Sequence, residues 1–307
     1  MILESLRGDQ EKPGLIFNGG KAGGISKTGS MMDVASIAIL ARLDVGFIDA
    51  DRSTGALTKA LGNSKFPVEK LVDESGIAAK IFAEYKDCDF VFQDNGAIGI
   101  ADPSIMGITS EIIQAVGINN SCLCLNLIPH KSGVIEDISQ IYAIYHWLKN
   151  RRIFHVNIDG SGKFDALPEL LAPAPITEIP HLTASQIDVY SRLKILPAEL
   201  LLSPPMDRQL VCKQIASRLL QIAQSNNFAA FLGAEAAIAV LQAMAVDAPR
   251  YVMPDGFVSS DEALREYNDL QIYNNKALFA DTEQLRIQHL NQSRRHLQRF
   301  NELKEHL

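Results

Sequence analysis

One stretch limits this chain more than any other. The apolar run GLIFNGG (Gly14–Gly20) passes straight into a glycine-rich loop, and the loop opens a helical pattern from Thr28 to Leu43. Residues Asn18–Ser30 read NGGKAGGISKTGS. A strand, a glycine loop and a helix in that order let the backbone wrap an anion. Glycines permit the tight turn, successive N–H groups point inward, and the helix N-terminus adds about half a positive charge. On this reading Gly20, Ala22, Gly23, Gly24, Ile25, Ser26, Lys27, Thr28 and Gly29 line a phosphate. Lys27 would reach the β and γ phosphates, and the Thr28 hydroxyl would ligate Mg²⁺. The spacing departs from GxxxxGK[ST]: Ser26 replaces the glycine before the lysine, and Lys21 stands five residues earlier. The plain alternative is a glycine-rich turn that caps a helix.

Further apolar runs follow at strand length. They are Val45–Asp51, Asp89–Asp94, Ser121–Ile128, Arg152–Asp159 and the short Ile176–Pro180. Helical patterns intervene, as in Ser104–Val116 and Glu136–Lys149. Continuous apolar strands alternating with helices predict a doubly wound, mostly parallel sheet covered on both faces. Such sheets bind ligands at the carboxyl ends of their strands. Three carboxylates stand at such ends. Asp94 closes FVFQD, where a magnesium-organising acid belongs, and Asp49 and Asp51 close the second strand, where either could orient a water. Each could instead simply cap a strand-to-helix loop.

After about Ser225 helices dominate. A boundary is expected there, between an α/β domain of residues 1–225 and a helical extension of residues 226–307. Phe228–Val246 is long enough to span a membrane, but it is alanine-rich and carries Glu235 and Gln242, so a buried helix is expected. The opening MILESLRGDQEKPG turns charged before any secretory apolar run. A cytoplasmic protein without stable membrane insertion is the expectation. The net charge of −7 disfavours a surface that binds nucleic acid all over. The four cysteines, Cys88, Cys122, Cys124 and Cys212, lack CxxC spacing, so neither a disulfide scaffold nor a structural zinc is expected. Cys122 and Cys124 read as small core residues.

Taken in order, AGGISKT (Ala22–Thr28), DAD (Asp49–Asp51), FVFQDNG and CLNLIP (Cys124–Pro129) resemble the deviant Walker-A ATPases of the ParA/MinD family. TEIPHLTASQIDVYSRL (Thr177–Leu193) is similar to the late family segment in which a strand ending at proline leads into a helix. The resemblance covers roughly Gly14 to Ser225. It implies the sheet of the P-loop NTPases, ATP and Mg²⁺ as cofactors, and slow hydrolysis coupled to an ATP-dependent homodimer. It implies Asp51 as the water-orienting residue, with Asp49 second, and Asn126 as an adenine contact. Ala22 occupies the place of the family's signature lysine, so Lys21 is the candidate for the contact across the dimer. The task implied is plasmid partition, mobilisation or a related positioning role, with DNA or a partition or transfer protein as partner. Ala22 and Ser26 favour a rival, a nucleotide-gated scaffold with little turnover, and a small-molecule kinase ranks third. In the last helix, SRRHLQR (Ser293–Arg299) is the densest basic cluster and the first candidate for DNA. Packing is the plainer reading of that helix.

Overall fold

The structure is a computed structural model. It describes residues 13–20, 26–51, 53–71, 83–96, 103–128, 133–156, 174–180, 182, 184–204, 209–245 and 283–305. The chain divides into two compact units, one of residues 1–181 with 190–248 and one of residues 182–189 with 249–307.

The first unit is built on a seven-stranded sheet. Its strands are β1 (Gly14–Gly19), β2 (Val45–Asp49), β3 (Val68–Lys70), β4 (Phe90–Asp94), β5 (Ser121–Leu127), β6 (Asn150–Val156) and β7 (Ile176–Ile179). They lie in the order β3-β2-β4-β1-β5-β6-β7, and every pairing is parallel. The central strands bury both faces, which explains their unbroken apolar runs. Leu15, Ile16 and Phe17 of β1 are wholly buried, and the Phe17 ring meets Tyr145 edge-on at 5.4 Å. Phe47 of β2 stacks on Phe92 of β4 at 5.9 Å. The six strands expected from the sequence are all present. The seventh, β3, has three residues and no apolar run to announce it.

Helices α1 (Lys27–Leu40) and α2 (Ala56–Ala60) follow β1 and β2, while α3 (Pro103–Val116) and α4 (Val134–Ile144) follow β4 and β5. The chain leaves β1 in one direction along the sheet and passes from β4 through β5 and β6 to β7 in the other. Right-handed crossovers therefore put α1 and α2 on one face and α3 and α4 on the opposite face. This is the doubly wound α/β class. β1 lies between β4 and β5, whose chains leave towards the other face, so its carboxyl end is the switch point.

The remaining helices of this unit are α5 (Ala184–Leu193, which begins in the second unit), α6 (Pro197–Leu202), α7 (Gln209–Gln224), α8 (Phe228–Leu232) and α9 (Ala236–Ala245). Helix α1 packs against α6, α7 and α9. The single helix expected over Phe228–Val246 is instead two. Gly233 takes φ 67°, which ends α8 and lets the chain turn into α9. Both belong to the first unit. Among the described residues no helix is long and apolar enough to cross a membrane.

In the second unit, α10 (Glu283–Glu305) is the last helix, and it carries the basic stretch Ser293–Arg299. Arg294, Arg295 and Arg299 are exposed, as are Leu285, Ile287 and Leu297. Arg299 pairs with Glu302 at 3.3 Å.

Candidate functional site

The parallel register places the site. Asp49 lies beside Asp94 across β2 and β4, and β1 runs along the other edge of β4. Asn18, one residue before the end of β1, donates from Nδ2 to Asp94 Oδ1 at 2.7 Å. Thr28, the second residue of α1, donates from Oγ1 to Asp94 Oδ2 at 2.5 Å. The Gly96 N–H reaches Asp94 Oδ1 at 3.3 Å. One carboxylate thus joins the end of β1, the start of α1 and the turn after β4. Burial pushes the Asp94 carboxyl up, against the hydrogen bonds from Thr28, Asn18 and Gly96; the charge on Asp49 adds to the rise.

Asn18 is clasped from the other side as well. The Asn95 N–H donates to Asn18 Oδ1 and Asn95 Nδ2 donates to the Asn18 carbonyl, both at 2.9 Å. Gln93 extends this network, donating to Asn95 Oδ1 at 2.6 Å and to Thr109 Oγ1 on α3 at 2.8 Å. All of these side chains are buried, where an unmet polar group is costly, and among the described residues Gln93 Oε1 finds no hydrogen-bond partner.

Helix α1 begins at Lys27, which is only 7% exposed. Ser26 precedes it in a left-handed conformation, φ 57° and ψ 26°, and makes no side-chain cap. The Ser26 carbonyl accepts from both the N–H and the Oγ of Ser30, each at 2.9 Å. Asn126 on β5 is wholly buried and donates to Ser30 Oγ at 2.8 Å.

Asp49 and Asp51 organise the loop after β2. Asp49 Oδ1 accepts the Asp51 N–H at 3.0 Å, and Oδ2 accepts the N–H and hydroxyl of Thr58 at 2.8 and 2.6 Å. Asp51 Oδ1 accepts Ser53 N–H, Ser53 Oγ and Thr54 N–H at 3.0, 2.6 and 3.1 Å. Its Oδ2 accepts the Thr54 hydroxyl. Burial opposes the Asp51 charge, but these four bonds outweigh it and hold the carboxyl below its ordinary value. Gly96, at φ +64°, closes over Asp51; a Cβ there would stand 2.5 Å from Asp51 Cγ. The two acids therefore have the loop-capping role that their position also allowed.

The structure thus brings Thr28, Asp94, Asp49 and Asp51 to one end of the sheet, with Lys27 beside Thr28 at the head of α1. Gly20 ends the described part of the loop and Gly29 lies in the first turn of α1. Lys21, Ala22, Gly23, Gly24 and Ile25 lie outside the described residues. Asn18, Ser30, Asn95 and Gly96 were not singled out from the sequence. The signal for Asn18 was present, since it is the one polar residue in the run GLIFNGG. Among the described residues no group of three or more His, Cys, Asp or Glu could hold a metal ion.

No protein-family model and no curated protein matches the chain. Among solved structures it is similar to the MinC:MinD cell division protein complex of Aquifex aeolicus, with TM-score 0.48 and 13% identity, over 69% of this chain and 94% of that one. It is also similar to a nucleotide-binding protein in complex with ADP from Archaeoglobus fulgidus, with TM-score 0.38 and 14% identity, over 63% and 91%. A third is the signal recognition particle 54 kDa protein of Aeropyrum pernix in complex with GDP, with TM-score 0.39 and 13% identity, over 99% and 81%. At these identities the likeness is one of backbone architecture.

Proposed function

We propose that this protein binds Mg-ATP at the carboxyl end of β1 and works as a slowly hydrolysing, ParA/MinD-like dimerisation switch. The observation that carries the reading is the hydrogen bond from Thr28 to Asp94, made by the residue that follows the glycine-rich stretch and its lysine in the sequence. By donating its proton to Asp94, the Thr28 hydroxyl turns its lone pairs outward, where a hard cation can use them. Asp94 has both oxygens engaged by protein donors and acts from behind Thr28. That donor set fits Mg²⁺, which takes few protein oxygens and fills its shell with water and phosphate. Bound there, Mg²⁺ supplies charge neutralisation for the phosphates. Lys27 and the amides at the head of α1 hold the phosphate oxygens. Asp51 is the proposed water-orienting residue: its bonds from Ser53 and Thr54 keep it ionised, and Oδ2 retains acceptor capacity beyond Thr54. Lys21 is proposed to reach across the dimer. Plasmid partition, mobilisation or a related positioning task is the proposed setting, with DNA or a transfer protein as partner.

A second reading has its own observation. Asp49 and Asp51 spend most of their acceptor capacity on their own loop, which favours a scaffold that holds ATP and turns over little. Size-exclusion chromatography with light scattering, with and without Mg-ATP, tests both on wild type and Lys27→Ala, with phosphate release followed in the same samples. An ATP-dependent dimer that Lys27→Ala abolishes is the expected result, and phosphate release separates switch from scaffold. A wild type that neither binds ATP nor changes size leaves only a glycine-rich helix cap.

A further inference from the structure

Strands β2 and β4 end side by side at Asp49 and Asp94, and the pairing runs on by one bond, from the Ala50 N–H to the Asp94 carbonyl at 2.8 Å. Two residues beyond that pair, Asp51 and Gly96 meet. A Cβ on Gly96 would stand 2.5 Å from Asp51 Cγ, 2.7 Å from its Cβ and 2.7 Å from its Oδ1. These atoms belong to a short side chain held by hydrogen bonds, not to the free end of a long one. Gly96 also lies at φ +64°, so space and backbone both require glycine.

The two sides of this contact are held differently. The turn after β4 is anchored in the core. Asn95 donates twice to Asn18, its Oδ1 accepts from Gln93, and the Gly96 N–H reaches Asp94 Oδ1. The Asp51 carboxylate instead takes its bonds from Ser53 and Thr54 of its own loop, and the Asp51 N–H ties that loop to Asp49. Such a loop can shift as one piece with its internal bonds intact. The turn cannot shift without breaking buried bonds, which is costly. A side chain at position 96 would therefore displace Asp51 and leave Thr28 and Asp94 in place.

We infer that Gly96 is a positioning residue for hydrolysis. Having no side chain, it lets the Asp51 loop close against the turn after β4, and so sets where Asp51 stands relative to the Thr28–Asp94 pair. The inference rests on the nucleotide reading above and on Asp51 as its water-orienting acid. It separates two properties of the site: Mg-ATP binding depends on Thr28 and Asp94, and turnover depends also on the gap that Gly96 leaves.

The test sets Mg-ATP affinity, from calorimetric titration, beside single-turnover phosphate release in the full-length protein. Five proteins are compared: wild type, Gly96→Ala, Gly96→Asn, Asp51→Gly, and Asp51→Gly with Gly96→Ala. Gly96→Ala should keep Kd within about three-fold and slow release about ten-fold or more, as expected when a catalytic group is misplaced. Gly96→Asn separates volume from backbone strain, because asparagine enters the left-handed region more readily and still carries a Cβ. It should slow release as much as alanine does. Asp51→Gly empties the space, so adding Gly96→Ala to it should change the residual rate less than about two-fold. Unchanged release in Gly96→Ala overturns the inference, and so does a loss of affinity as large as the loss of rate. A Gly96→Asn close to wild type would place the effect in backbone strain and overturn it equally, as would an additive loss in the double variant. If Gly96→Ala does not fold, Asp51→Gly must restore folding, and a double variant that stays unfolded overturns the inference. A wild type that binds Mg-ATP without releasing phosphate, or an Asp51→Gly as fast as wild type, removes the role of Asp51 and the inference with it. A wild type that binds no Mg-ATP removes the nucleotide reading itself.

Discussion

Asp94 faces two opposing demands. As a buried carboxyl it holds its proton more tightly in the folded chain than in the unfolded one. The charged form therefore weakens the fold. Stability falls as pH rises from the ordinary carboxyl value of 3.8 through the folded value, and the full penalty remains above it. Asp94→Asn removes that charge and keeps the shape. Its amide oxygen can still accept from Asn18 and Gly96, while its amide nitrogen can donate to Thr28 Oγ1. Urea unfolding at neutral pH should find Asp94→Asn no less stable than wild type, and the advantage should shrink as pH falls towards 4. Binding should move the other way. The new donor occupies the Thr28 lone pair offered to Mg²⁺, so Mg²⁺-dependent ATP affinity should drop by about ten-fold or more. A variant that is markedly less stable at pH 7 and binds Mg-ATP normally would contradict both halves. Thr28 and Asp94 were legible because each sits where a glycine loop or an apolar strand ends. Asn18 stood out as a polar residue in an apolar run, but its partner did not, because Asp94 lies 76 positions away and only the register joins them.

Helix α1 is held at both ends of its first two turns. Its start is tied to β4 and β5, and further along Asp33 meets Arg218 of α7 at 2.6 Å in the core. Burial raises the Asp33 carboxyl, against the charge and hydrogen bond of Arg218. Among the described residues, Asp33 Oδ1, Arg218 Nε and Nη1, and the hydroxyl of the adjacent Tyr190 find no hydrogen-bond partner. A pair so incompletely satisfied is weak evidence of net stabilisation, while breaking it strands a buried charge. Arg218→Ala should therefore lower stability by about 3–5 kcal/mol in urea unfolding. Asp33→Asn with Arg218→Met, which removes both charges and keeps the volume, should recover most of that loss. A double variant as unstable as the single one would mean that the pair stabilises in its own right. At this scale the sequence was read well where an element makes a continuous apolar run, and poorly where tertiary contacts make it. β3 is three residues that pair only because β2 lies beside them. The turn between α7 and α8 is steadied by Arg152 on β6, which reaches into it. Its guanidinium lies over Phe228 and Phe231 at 4.5 and 5.0 Å and donates to the Asn226 carbonyl at 2.8 Å.

The whole molecule turns on a strand order that no local pattern announces. Alternating strands and helices predict a parallel sheet, but only the order β4-β1-β5 puts Asn18, Thr28, Asp94 and Asn126 around one strand end. Each of these four residues comes from a different element or its edge, and all lie in the first unit. So do the largest fully buried side chains, among them Phe17, Phe47, Phe90, Phe92, Tyr145, Phe154 and Phe228. A unit that carries its own core should fold alone. A chain ending at residue 248 should then unfold in urea in one cooperative transition and retain the far-ultraviolet signature of the sheet and its helices. Because every described residue of the candidate site is kept, its Mg-ATP affinity should stay within about three-fold of full length. Saturating ligand should stabilise it by about 2.7 kcal/mol at a hundred times Kd, as expected for a ligand that binds only the native state. A gradual, non-cooperative transition would mean that residues 249–307 complete the core. Cooperative unfolding with lost affinity would instead assign part of the site to that segment, and α10 would become the next place to look for it.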